Sequence, residues 1–313
     1  MSEFVVNGIV LVLGLVFLYA GAELLVAGAS RLALSFGLRV ATVGVTVVAF
    51  ATTAPELFVV TVGALSVSTD IGLGAIIGSN VANIGLVLGL TALIRPLSVS
   101  PTVLRRHVPF MVFAAALLFV FSLDGRIDRF EGTLFLLVLS GFTVYLLYYI
   151  QTDPPALTEY SISDAGSNAH NLALVGAGML TLVLGSRWLI DGGRGLLSTM
   201  GFSDLFIGIT VIAFGTSLPE LAASVVGAIR GETGFSIGNV IGSNIYNILA
   251  VIGITSLIVP ITVSPATLQF ELVVLVIFTL VLVGMMIRNR ELTRVDGAIL
   301  VSGYLVFLYL LLP

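Results

Sequence analysis

Gly44-Val-Thr-Val-Val-Ala-Phe-Ala-Thr-Thr-Ala-Pro-Glu-Leu57 returns 164 residues later as Gly208-Ile-Thr-Val-Ile-Ala-Phe-Gly-Thr-Ser-Leu-Pro-Glu-Leu221, with nine of the 14 positions identical. The next segment repeats at the same offset: Gly74-Ala-Ile-Ile-Gly-Ser-Asn-Val-Ala-Asn-Ile84 aligns with Gly238-Asn-Val-Ile-Gly-Ser-Asn-Ile-Tyr-Asn-Ile248. So do Gly14 and Gly178, Gly28 and Gly192, Pro96 and Pro260, and Ser100-Pro101 and Ser264-Pro265. Chance does not hold one offset over that distance, so the chain is an internal duplication.

Both copies lie in a chain built for lipid. Of 313 residues, 58% are apolar and 10% are charged, where a soluble domain is about one-quarter charged. Mean hydropathy is +1.16. Soluble enzymes, nucleic-acid binders and disordered scaffolds are excluded by this balance. All 13 basic residues are Arg and the net charge is −4, so no polybasic surface is available for nucleic acid. Cysteine is absent and histidine occurs only at His107 and His170, which leaves no thiolate or histidine-rich metal site. The N-terminus lacks the basic region of a signal peptide, and its first apolar segment has a partner in the second copy.

Apolar stretches predict ten spans: 5–29, 40–66, 71–94, 107–123, 131–150, 170–192, 204–229, 235–258, 268–287 and 296–312. The expected fold is an all-α integral membrane protein of ten transmembrane helices. Residues 1–150 form the first repeat, the polar segment 151–169 a linker, and 170–313 the second repeat. Five spans per copy is an odd number, so the second copy enters the membrane from the opposite side, an inverted repeat. With the N-terminus outside, nine Arg fall on the cytoplasmic side (31, 39, 95, 105, 106, 230, 288, 290 and 294) and four outside (126, 129, 187 and 194). Both termini are therefore expected outside and the linker in the cytoplasm, in a plasma-membrane protein.

An acid in mid-membrane reads as functional. Glu56 and Glu220 are the two most central acids, at matching places in the second and seventh spans. Each follows a Pro, which removes one backbone hydrogen bond, so both helices are expected to bend and to free the carbonyls of Ala51 and Gly215. Thr52 and Thr53 share a helical face with Glu56, as Thr216 and Ser217 do with Glu220. In the third and eighth spans, Ser79 and Asn83, and Ser243 and Asn247, are four apart on one face. Glycines at four-residue spacing (74 and 78; 234, 238 and 242) would bring those faces against the Pro-Glu bends. Asn80 and Asn244 point away and are expected to be structural. Glu23 and Arg187 are expected to be interfacial.

The assembled donors are carboxylates, hydroxyls, amides and carbonyls, all of them oxygen ligands. Calcium takes about 6–8 such ligands, and two carboxylates balance its charge. Magnesium holds its water too firmly for a dry cage, and transition metals usually bring His or Cys. A single Thr-Ser-x-Pro-Glu would be weak evidence, because Pro kinks and buried hydroxyls are common in membrane helices. Its duplication, each copy followed by Gly-Ser-Asn-x-x-Asn, makes a purely structural origin the poorer reading.

These residues resemble the two alpha-repeats of the cation/calcium antiporter superfamily, above all prokaryotic sodium/calcium exchangers. The resemblance covers the whole chain and is most specific at Gly215–Glu220 and Gly238–Asn244. It implies that Glu56 and Glu220 share the calcium ion, and that Thr52 and Thr216 serve calcium and sodium. By the same token Thr53, Ser217, Ser79 and Ser243 would line sodium sites, with the carbonyls of Ala49 and Ala213 joining them. Asn83 and Asn247 would complete the centre. The first and sixth spans would slide over a core of eight helices to alternate access.

The first copy departs from the pattern in reading Ala-Thr-Thr-Ala-Pro-Glu, and Ala75 stands where Asn is usual. Asn247 replaces the Asp of potassium-dependent relatives, which argues against potassium transport. The calcium-sensing domains of animal relatives are missing, so regulation by them is not expected.

The expected function is antiport of sodium for calcium by a functional monomer in the bilayer, with the ions as substrates, no cofactor and no catalytic residue. Proton/calcium exchange by the same fold is the alternative, although proton-coupled relatives tend to carry Gly-Asn-x-x-Glu motifs instead. An intramembrane hydrolase using the two Glu as acid and base lacks a nucleophile motif. A non-transporting ion sensor would bind calcium without flux.

Overall fold

The computed structural model describes residues 3–36, 40–50, 52–53, 56–57, 60–61, 69–152, 167–200 and 217–311. The chain is mainly helical over these, with short turns and two pairs of two-residue strands. In order, α1 spans Glu3–Ser35. α2 opens at Val40–Val43 and runs into a π-helical turn at Gly44–Val48. α3 spans Thr69–Ala82 and continues through a π-turn at Asn83–Leu88 to Gly89–Ile94. α4 is Val103–Phe121, α5 is Arg129–Thr152 and α6 is Asn168–Thr199. α7 is Leu218–Ile229. α8 spans Thr233–Tyr246 and continues through a π-turn at Asn247–Ile252 to Gly253–Ile258. α9 is Thr267–Asn289 and α10 is Arg294–Leu311.

Eight of these helices are long and apolar enough to cross a membrane: α1, α3, α4, α5, α6, α8, α9 and α10. Burial separates them. The most apolar stretches of α3 and α8 are buried over 78% and 83% of their residues, against 22–39% for the other six. α3 and α8 therefore form the centre, and the others turn an apolar face outward, as a lipid solvent permits.

α1 and α6 lie against each other along nearly their whole length and run antiparallel. Gly14 meets Gly185 and Leu189, Gly21 meets Gly178 and Leu182, and Gly28 meets Asn171 and Val175. A Cβ on Gly14 would stand 2.5 Å from the Leu189 nitrogen, so the seam requires glycine. The contacts obey the 164-residue offset. The Gly14–Gly185 approach maps onto Gly178–Gly21, and Gly28–Asn171 maps onto Gly192–Asn7. A twofold operation thus relates the two sides of the seam. The apolar residues of this pair form a core with parts of α2 and α7, separate from the larger core around α3 and α8.

The strands tie the copies together at the chain's bends. Leu97 pairs with Leu292 and Ser98 with Glu291. Arg126 pairs with Thr262 and Ile127 with Ile261. Arginine side chains close helix ends beside them. Arg95 donates to the carbonyls of Ala228 and Ile229 at the end of α7 (3.1 and 3.0 Å). Arg129 reaches Ile258 of α8 and Arg294 reaches Ile94 of α3.

The expected bends at Pro55 and Pro219 are only partly in view. Pro55 and residues 201–216 lie outside the described residues. Pro219 stands in the first turn of α7, where its missing N–H has no helical partner to lose.

Candidate functional site

The ten predicted site residues within the described set, Ala49, Thr52, Thr53, Glu56, Ser79, Asn83, Ser217, Glu220, Ser243 and Asn247, are all buried. Thr216 and Ala213 lie outside the described residues.

The glycine stripe of α8 brings two of them, one from each copy, side by side. Gly238 sits on the Ala41 carbonyl of α2, and a Cβ at Gly242 would stand 2.5 Å from the Val45 carbonyl. That approach places Ser243 beside Thr52, their hydroxyl oxygens 3.4 Å apart. Thr52 also donates to the Ala49 carbonyl at 3.3 Å. Glu220 lies in the first turn of α7, where the helix dipole and free N–H groups favour negative charge. The π-turns of α3 and α8 begin at Asn83 and Asn247, and such turns often mark functional positions.

Six of these residues hold a buried oxygen with no hydrogen-bond partner: Thr53 Oγ1, Glu56 Oε2, Asn83 Oδ1, Ser217 Oγ, Glu220 Oε2 and Asn247 Oδ1. An unpaired buried polar atom is costly, and native structures rarely leave one without reason. Six at paired positions of both copies amount to a set of oxygens able to act as ligands. They suit a hard cation that exchanges its water for protein oxygen. Among the described residues no cluster of three His, Cys, Asp or Glu is present, so the donor set is mixed and not a carboxylate cage.

The structure also assigns partners that the sequence did not disclose. Asn83 Nδ2 donates to Asn244 Oδ1 at 3.1 Å, and Asn244 Nδ2 donates to the Asn80 carbonyl at 3.4 Å. Asn244 thus orients a site residue of the other copy. Asn80 bonds the Ile76 carbonyl of its own helix at 2.9 Å. Glu23 is not merely interfacial: it pairs with Arg230 at the end of α7, both side chains partly exposed. None of these cross-copy pairs has a spacing signal in a single sequence.

Antiparallel apolar helices enclosing buried oxygen donors and two acids define a membrane protein that handles cations. Comparison with known proteins makes this specific. The model of the sodium/calcium exchanger protein family matches residues 6–148 and again 170–312. The chain is 37% identical to CaxA of Alkalimonas amylolytica, over 97% of this chain and 98% of that protein. It is 30% identical to the sodium/calcium exchanger MaX1 of Methanosarcina acetivorans, over 98% of each. Its fold superposes on the sodium-calcium exchanger NCX_Mj, soaked with 10 mM Na+ and no Ca2+, with a TM-score of 0.82 at 29% identity, covering 98% of this chain and 99% of that one.

The chain belongs to the sodium/calcium exchanger family. It is a multi-pass membrane antiporter.

Proposed function

We propose that the protein exchanges sodium for calcium across the membrane by alternating access to one buried site. The observation that carries this reading is the set of six unpartnered oxygens at Thr53, Glu56, Asn83, Ser217, Glu220 and Asn247, three from each copy. In this reading Glu56 and Glu220 hold the calcium ion, assisted by Thr52 and Thr216. Thr53, Ser217, Ser79 and Ser243 line the flanking sodium positions with the carbonyls of Ala49 and Ala213, and Asn83 and Asn247 close the centre.

The coupling follows from electrostatics. Two ionised carboxylates in a low-dielectric interior are expensive while uncompensated. Calcium or sodium compensates them, and both ions take oxygen ligands. Competition for one pair of carboxylates then couples the two fluxes without a chemical intermediate.

We further infer two inverted repeats of five helices, residues 1–150 and 170–313, joined by a cytoplasmic linker at 151–169, with both termini outside. The antiparallel, pseudo-twofold seam of α1 and α6 supports the inversion, since a twofold that reverses a helix lies in the membrane plane. The Arg distribution supports the orientation. The α1–α6 pair is the element expected to move against the α3–α8 core, and one chain contains the whole site, so a monomer suffices.

Calcium uptake into sodium-loaded proteoliposomes tests the proposal. Uptake is expected to require the outward sodium gradient at fixed pH. Uptake indifferent to sodium and driven by a pH gradient would replace sodium with the proton as the coupling ion.

A further inference from the structure

Behind Glu220, α7 and α8 are joined by polar side chains that the cation site leaves unexplained. Asn239 Nδ2 donates to the backbone carbonyl of Glu220 at 3.4 Å and to Ser224 Oγ at 3.1 Å. Ser236 Oγ donates to the Ser224 carbonyl at 2.6 Å. All three side chains are fully buried. Ser236 and Asn239 are three apart on α8, and Glu220 and Ser224 four apart on α7, so each pair shares a helical face. The two faces clasp the turn of α7 that begins at Glu220. The amide orientation follows from its partner: a carbonyl only accepts, so the NH2 group must face it.

The other copy does without this clasp. At the 164-residue offset, Asn239 corresponds to Ala75, Ser224 to Val60 and Ser236 to Gly72, while Glu220 corresponds to Glu56. Ala, Val and Gly carry no polar side-chain atom. The first copy therefore carries its Pro-Glu acid without the side chains that make the clasp. The clasp also has a cost, because Asn239 Oδ1 is buried with no hydrogen-bond partner. A costly polar contact, confined to one copy and made to the backbone of a carboxylate residue, points to the carboxylate as its purpose.

We propose that Asn239 and Ser224 are positioning residues for Glu220. They fix the rotation and depth of the first turn of α7, and so hold the Glu220 carboxylate at the cation. Glu56 has no such support from α3. This role rests on the reading of Glu220 as a cation ligand. Groups that orient a ligand typically cost about 10- to 100-fold in metal affinity when removed.

The test is a calcium concentration series in sodium-loaded proteoliposomes for the wild type, Asn239→Ala, Ser224→Ala and Glu220→Gln, with barium run in parallel. Asn239→Ala is expected to raise the half-saturating calcium about tenfold and to keep most of the maximal rate. Its calcium-over-barium preference should also fall, because a loosened carboxylate discriminates less by ionic size. Ser224→Ala removes only one acceptor of the clasp and should shift half-saturation less, in the same direction; it also serves if Asn239→Ala fails to fold. A lower maximal rate with unchanged half-saturation and unchanged preference would overturn the proposal, since that is the signature of less folded protein. Wild-type uptake that survives in Glu220→Gln would instead overturn the reading of the site itself.

Discussion

At the scale of single residues, the site is a set of oxygens whose partners are missing. Glu56→Gln and Glu220→Gln keep the size of each side chain and remove its charge. Each is expected to reduce calcium uptake by roughly 100-fold or more, beyond the loss typical of groups that only orient a ligand, while thermal unfolding of the detergent-purified protein changes little. A variant that keeps wild-type uptake would remove that carboxylate from the site. Asn244→Ala removes the acceptor that the Asn83 amide has in the other copy. It should raise half-saturating calcium by about tenfold; no change would mean that Asn83 is oriented without it. Asn247→Asp adds a third carboxylate beside the first two. Half-saturating calcium should then fall at high pH and rise again on acidification, because the new acid must lose its proton to help. A flat pH response in that variant would place residue 247 away from the ion. The duplicated acids and hydroxyls were legible in the sequence, because a matched repeat cannot hide. Asn244, read from helical spacing as facing away, could not be assigned to Asn83: the bond crosses 161 residues and two helices, and only packing creates it.

At the scale of elements, glycine stripes decide which helices can meet. Gly238 and Gly242 bring α8 onto α2, and Gly14, Gly21 and Gly28 bring α1 onto α6. Gly242→Leu inserts a side chain where even a Cβ would stand 2.5 Å from backbone oxygen. It should destabilise the protein by about 1–3 kcal/mol or more and separate Ser243 from Thr52, with both a lower unfolding temperature and lost uptake. Uptake and unfolding temperature both unchanged would deny the contact. The ion pair between Glu23 and Arg230 links α1 to the end of α7, across the boundary between the two cores. Exposed pairs are worth about 0–1 kcal/mol, so stability should barely respond to Glu23→Arg. If the pair biases the position of α1, the exchange rate changes in Glu23→Arg and recovers in the double variant Glu23→Arg with Arg230→Glu. A rate indifferent to the reversal would leave the pair without influence on transport. Small-residue spacing in the sequence announced the approach made by Gly238 and Gly242; it did not announce the α1–α6 seam, and Gly78 of α3 has nothing within 4 Å among the described residues. The spacing did not reveal that the approach of α8 to α2 joins different copies, nor the π-turns at Asn83 and Asn247, because period alone does not distinguish a π-turn from an ordinary one.

At the scale of the molecule, duplication and hydropathy sufficed for the class of fold, since a lipid solvent leaves few architectures available. What the sequence could not supply was the division of labour between helices. α3 and α8, with mean hydropathies of 1.7 and 1.6, fall within the 1.3–2.8 range of the other spans, yet they form the buried centre because their small and polar faces pack on protein. The antiparallel α1–α6 seam, with a core of its own, completes a molecule of two cores around one set of buried oxygen ligands. The central claim is that calcium and sodium compete for that set. Calcium binding to the purified protein, titrated at rising sodium and fixed pH, tests it most directly. Sodium should raise the apparent dissociation constant for calcium without lowering the number of sites, and Glu56→Gln and Glu220→Gln should each lose calcium binding. Calcium binding that sodium leaves unaffected, or that survives in both variants, would contradict it.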